Sequence, residues 1–166
     1  MDFHVQNFTS NGQINPKFIC TKHAGKNEFP TISWKTKNKY NQHDSFFSLI
    51  MEDPDAPSGT FVHWYIPFIP NNLQKIDSKT IQNVFVGYNS LKERNYFGPC
   101  NPEKKVHCYN FYFYIIQGNI NTLPKNLKKK IICTKTSTQF EEFIKEQNMI
   151  ILDKLEENYN YQYKFN

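Results

Sequence analysis

Arginine is almost missing from this 166-residue chain: Arg94 is the single arginine among 20 Lys and Arg residues. Lysine suits solvated surface and point contacts to anions, but it lacks the guanidinium fork that grips bases and phosphates in pairs. A nucleic-acid reader is therefore not expected. Also absent is any apolar run near the roughly 20 residues that a membrane helix needs, and the mean hydropathy is −0.68. At most peripheral membrane contact is expected. The N-terminus, MDFHVQNFTS, has no basic segment leading into an apolar one, so no secretory signal is read there. Asn7-Phe8-Thr9 is then a sequon by chance. The four cysteines, Cys20, Cys100, Cys108 and Cys133, form no C-x-x-C pair and no finger spacing, which argues against structural zinc. Without a signal, the expectation is reduced thiols and a cytoplasmic location. No repeat, linker or low-complexity tail is visible, and the length suits one domain over residues 1–166.

What the chain does have is aromatic residues, 16% of the total, with a net charge of +5. They gather in apolar, alternating runs near Ser45, Phe61, Ile81 and Val106, each bounded by Pro, Gly or Asn, the signature of strands. Short strands are also read at Pro16–Cys20 and Thr31–Trp34. Lys35–Asp44 reads as a solvated loop, and His4, His23 and His43 as surface residues. In the run from Val106, His107, Tyr109, Phe111, Phe113 and Ile115 share one face, and both faces are mostly apolar, as in a central strand. In the run from Phe61, Phe61, His63 and Tyr65 share a face. Phe140, Phe143 and Ile144 have helical spacing within Thr138–Gln147, with Ser137 or Thr138 as N-cap and Glu141-Glu142 in the first turn. Ile150–Glu157 reads as a second short helix. Lys128-Lys129-Lys130 reads as a solvated loop or edge.

Two proline loops organise this pattern. Met51–Phe68 (MEDPDAPSGTFVHWYIPF) runs from one strand into the next through Asp-Pro-Asp-Ala-Pro, which is stiff because each proline fixes its own φ and restricts the preceding residue. Gly98–Ile116 (GPCNPEKKVHCYNFYFYII) repeats the arrangement, a proline loop leading to a histidine that enters an aromatic strand. Taken alone, Asp53 and Asp55 would cap loop amides, and His63 and His107 would be packed core histidines. Together they suggest one site fed from two strand ends: Asp53, His63, His107 and Tyr109, with Pro57 and Pro102 as walls and the amides of Cys100 and Asn101 as a backbone nest for an oxyanion. A two-His-one-carboxylate metal site is the competing reading of the same residues. No G-x-S-x-G elbow surrounds Ser58 and Cys108 faces away from His107, so no nucleophile is apparent.

These motifs resemble the phosphatidylethanolamine-binding protein family, which includes the Raf kinase inhibitor proteins. Asp53-Pro54-Asp55-Ala56-Pro57 with His63-Trp64 resembles its first signature, and Gly98–Tyr109 its second. Phe29–Trp34 resembles an early segment, and Ile151–Tyr161 the C-terminal helix with its tyrosine. The chain departs from the second signature at Asn101, Lys104 and Cys108, where the family has proline, glycine and arginine. The resemblance implies an all-β sandwich of two antiparallel sheets with short peripheral helices near the C-terminus, no metal or cofactor, and a binding protein, not an enzyme. Its ligand would be a phosphate-type anion, either a phospholipid head group or a phosphorylated protein segment, and a protein kinase could be a partner. A hydrolase using the same Asp-His-His set is the alternative, and a basic adaptor docking through Lys128–Lys130 a third. Without the family's arginine, Asp55 is expected to be solvated or capped by backbone donors. The short Ser58-Gly59 link and Trp64 resemble the bacterial-type branch.

Overall fold

The computed structural model describes residues 1–36, 40 and 44–163. Among the described residues nine strands follow one another: β1 (Asp2–Val5), β2 (Thr9–Ser10), β3 (Gln13–Ile14), β4 (Ile32–Lys35), β5 (Ser45–Asp53), β6 (Phe61–Pro70), β7 (Lys75–Ile76), β8 (His107–Gln117) and β9 (Ile150–Tyr161). A four-stranded sheet in the order β6-β5-β8-β9 forms the middle of the molecule. A three-stranded sheet, β1-β4-β7, packs on one of its faces, and β2-β3 is a small hairpin. All pairings are antiparallel. The fold is thus all-β, with a third, very small sheet beside the two expected.

The two-residue period of the aromatic runs builds this layering. Tyr109, Phe111, Phe113 and Ile115 of β8 face the three-stranded sheet and join Phe47, Leu49, Met51, Trp34 and Phe3 in one core. Tyr114 and Ile116 point the other way and pack with Phe46, Ile50 and Tyr65 beneath two helices. These are α1 (Lys125–Ile131) and α2 (Ser137–Glu146). Phe140, Phe143 and Ile144 are the buried apolar face of α2, as their spacing predicts. Burying such rings on both faces of β8, at about 25 cal/mol per Å² of apolar area, is the main cohesive term.

Several local expectations are overturned. Ile150–Glu157 is not a helix but most of β9, paired to β8 from His107↔Tyr161 to Gln117↔Ile150. A helix there would leave the long edge of β8 unpaired, whereas the strand sets Leu155, Tyr159 and Tyr161 against the core. Ile81–Gly87 is not a strand; Ile81–Asn83 forms a 3₁₀ turn, and the rest follows β6 through irregular bonds at Phe85 and Gly87. A side chain at Gly87 would lie 2.5 Å from the Tyr65 ring, so this segment crosses β6 too closely to continue as a regular ladder. Pro16–Phe18 is a 3₁₀ turn, since Pro16 presets φ and the Asn15 side chain accepts from the Lys17 amide. Lys128–Lys130 form the exposed last turn of α1, where cations oppose the helix's negative end. Thr136, not Ser137 or Thr138, caps α2 in a capping box with Gln139, and the first turn holds no acid. Ser137 instead donates its amide and hydroxyl to Glu52, at 2.8 and 2.7 Å. The loop expected over 35–44, His43 included, falls largely outside the described residues.

Candidate functional site at the ends of the central strands

The expected residues come from three segments. Asp53 ends β5, His63 lies near the start of β6, and His107 and Tyr109 open β8. All four are buried, with at most 3% of their surface exposed. Asp53 and His107 are joined at 2.6 Å, Oδ2 to Nδ1. The other oxygen of Asp53 accepts from the Asp55 amide at 2.8 Å. The loop-capping role and the histidine-orienting role are therefore held by one carboxylate.

His63 reaches the cluster through a β-bulge. Met51 pairs with Trp64 and Glu52 with Val62, so His63 is the extra residue in β6. The bulge breaks simple alternation. Tyr65 turns to the helix-covered face, while His63 meets the edge of the Tyr109 ring at a centroid distance of 5.1 Å. The shared face expected for His63 and Tyr65 is thus corrected.

The two imidazoles differ in basicity. His63 Nδ1 lies 2.6 Å from the Phe97 carbonyl, so this nitrogen is the donor and carries a proton. Burial is the dominant cause that lowers its pKa to about 4, and the charge of His107 adds to it. His63 is neutral near pH 7. For His107 burial also opposes the charge, but the hydrogen bond and charge of Asp53, with help from Glu103, outweigh it and raise the pKa. His107 is the more basic of the pair.

Glu103 is a member of the site that sequence reasoning missed. Its Oε1 lies 3.4 Å from His107 Nε2, while its other oxygen meets Lys105 at 3.4 Å. The Glu103 side chain is 35% exposed, so it covers His107 from the solvent side. The His107 ring is held between an inner and an outer carboxylate. Nothing in the sequence marks Glu103, because a loop residue has no periodicity to place it.

Tyr109 donates its hydroxyl to the Asn101 side-chain oxygen. Asn101 in turn donates to the carbonyls of Lys105 and Tyr161, at 2.9 and 2.8 Å. The residue that replaces the family's proline is therefore a buried, fully used hinge of the loop. The Cys100 backbone also hydrogen-bonds the Tyr109 hydroxyl. Burial is the first cause that pushes the Tyr109 pKa up, leaving it a neutral hydroxyl. Pro57 and Pro102 lie exposed on the two loops.

Asp55 is exposed and accepts from the Cys108 amide at 2.8 Å, the backbone capping expected in the absence of an arginine. The Cys108 sulfur turns to Asn110 at 3.0 Å, away from His107. The thiol expectation fails at two other positions: Cys20 and Cys100 form a disulfide, leaving Cys108 and Cys133 as thiols. Eighty residues separate the pair, so no local spacing announces it. His23, expected on the surface, is half-buried, stacked on Tyr163 at 3.7 Å and bonded to the Tyr161 hydroxyl at 3.1 Å. Among the described residues, the set whose ligand atoms converge tightly enough for a metal is Cys20, His23 and Cys100, not Asp53, His63 and His107. No helix among the described residues is long and apolar enough to cross a membrane.

Residues 4–159 match the family model for phosphatidylethanolamine-binding protein. A UPF0098 protein of Aquifex aeolicus is 30% identical over 119 residues, covering 69% of this chain and 65% of its own. A UPF0098 protein of Methanothermobacter thermautotrophicus is 28% identical over 138 residues, covering 80% of this chain and 87% of its own. Among solved structures, a phosphatidylethanolamine-binding protein homologue from Chlamydia trachomatis superposes with a TM-score of 0.72 at 22% identity, covering 98% of this chain and 97% of its own.

Proposed function

The chain belongs to the phosphatidylethanolamine-binding protein family, on its bacterial and archaeal side, and from that membership we propose that it binds a phosphate-type oxyanion at the solvent side of His107. The observation that carries this reading is the buried His107 ring between the carboxylates of Asp53 and Glu103. Asp53 fixes the ring through Nδ1 and sustains its charge, which leaves Nε2–H directed at an acceptor near the surface. Glu103 is that acceptor here, and it is a carboxylate on a loop, easily displaced by a more highly charged oxyanion. Asp53 beside an anion site makes sense as the group that charges the donor.

The reading is one of binding rather than turnover. The His63 Nδ1–H is committed to Phe97 and the Cys108 thiol to Asn110, so neither supports a base and nucleophile pair. A phospholipid head group and a phosphorylated protein segment share the same oxyanion, and a protein kinase would enter as the bearer of such a segment. Calorimetric titration with O-phosphorylethanolamine, inorganic phosphate and a phosphoserine peptide separates these sources. His107→Ala should weaken the preferred ligand by roughly tenfold or more, the worth of one charge-assisted hydrogen bond. Affinity should also fall as pH rises through the raised His107 pKa, because the donor loses its charge. Equal affinity in the wild type and His107→Ala would reject the site.

A further inference from the structure

We propose that Cys20, Cys100 and His23 form a second site, a Cys₂His centre that binds a thiophilic divalent cation such as zinc when the disulfide is open. One ligand atom from each of the three residues lies within 4.8 Å of the others. That is the close packing a tetrahedral thiolate–imidazole centre requires, and no such convergence exists in the Asp-His-His cluster among the described residues. Cys20 and His23 stand at a C-x-x-H spacing in which the Thr21–His23 3₁₀ turn brings the imidazole round beside the sulfur. Cys100 arrives from the other loop.

The bond is not alone in holding these segments together. The Cys20 amide donates to the Pro99 carbonyl at 3.1 Å. Asn27 donates to the Tyr96 carbonyl and accepts from the Gly98 amide, and the Tyr96 hydroxyl bonds the Phe18 carbonyl at 2.7 Å. Backbone meets backbone so closely that a side chain at Gly98 would lie 2.1 Å from the Phe18 carbonyl oxygen, and one at Gly25 would lie 2.2 Å from that of Ile19. With the bond opened, these contacts keep the two sulfurs side by side. His23 is held by the Tyr161 hydroxyl, the Asn101 backbone and the Tyr163 ring, the kind of support that orients a ligating imidazole. His23 borders a groove of about 610 Å³, lined also by Ile19, Val106, Tyr161 and Tyr163.

The chemistry balances with a dithiol as reductant. Two electrons break the Cys20–Cys100 bond, the dithiol closes to its own disulfide, and its two protons pass to the cysteine sulfurs. Metal binding then releases those protons as the thiolates form. Since disulfides persist in oxidising compartments and open in reducing ones, one pair of cysteines offers a covalent tie or a metal centre according to surroundings.

The test uses the full chain with Cys108→Ser and Cys133→Ser, so that Cys20 and Cys100 supply the only thiols. After dithiol reduction and anaerobic desalting, cobalt(II) is titrated in. The expected result is thiolate-to-cobalt charge-transfer absorption with tetrahedral ligand-field bands, saturating at one equivalent and displaced by zinc. The oxidised protein should show neither, and His23→Gln should weaken cobalt binding by roughly tenfold or more. Absence of the charge-transfer band after reduction would overturn the proposal, as would a band unaffected by His23→Gln. Loss of the β-sheet dichroism on reduction would overturn it too, since the centre needs the fold to outlast the bond.

Discussion

His63 and His107 lie on two strands of one sheet, both almost wholly buried, yet their pKa values are shifted in opposite directions. His63 is enclosed by rings, stacked on Phe97 at 5.6 Å and edge-on to Tyr109, with a neutral carbonyl as its polar partner. His107 lies between two carboxylates. The surroundings set the two apart: desolvation dominates at His63, whereas at His107 the neighbouring carboxylates outweigh it. The pair is self-reinforcing, because the cation on His107 further disfavours a second on His63.

Removing the inner carboxylate should have the largest effect. Asp53→Ala strands a buried imidazolium, and near pH 6 it should cost on the order of 3–5 kcal/mol in denaturant unfolding. The loss should shrink towards pH 8. In the wild type, the raised His107 pKa contributes stability fully present below the ordinary value near 6.5 and lost as pH rises through the folded value. A loss that stays constant from pH 6 to 8 would show that Asp53 acts only as a loop cap.

His63 should show the reverse pH dependence. Its folded pKa of about 4 lies below its ordinary 6.5, so the unfolded chain takes up a proton first as pH falls. Stability should drop by roughly 3 kcal/mol between pH 6.5 and 4, and His63→Gln should flatten that part of the profile. An unchanged acid limb in the variant would place the titration elsewhere.

Smaller effects sharpen the outer half of the comparison. Glu103→Gln removes the protein's own competitor for His107 and should tighten phosphate-type binding by up to roughly fivefold, the range of exposed ion pairs. Weaker binding would mean that Glu103 helps to hold the ligand. Asp55→Ala should change thermal stability least, within about 0.5 kcal/mol, because this exposed carboxylate caps one amide where Asp53 holds a buried cation.

The sequence by itself determined the central strands, the stiff proline loops and the placement of two histidines at strand ends, because two-residue alternation and proline geometry are local properties. It also marked Asn101 and Cys108 as departures, and Asn101 proved to be the buried hinge of the second loop. Tertiary structure decided what locality cannot. The bulge at His63 exists only through its register with β5. β9 is a strand because β8 offers it an edge, although its own pattern resembles a short helix. Cys20 and Cys100 meet across 80 residues, and Glu103 reaches His107 from a loop without periodicity. The charges of the two histidines belong with these, since a pKa depends on desolvation and on which partner packs against the ring, and neither exists until the chain has closed around it.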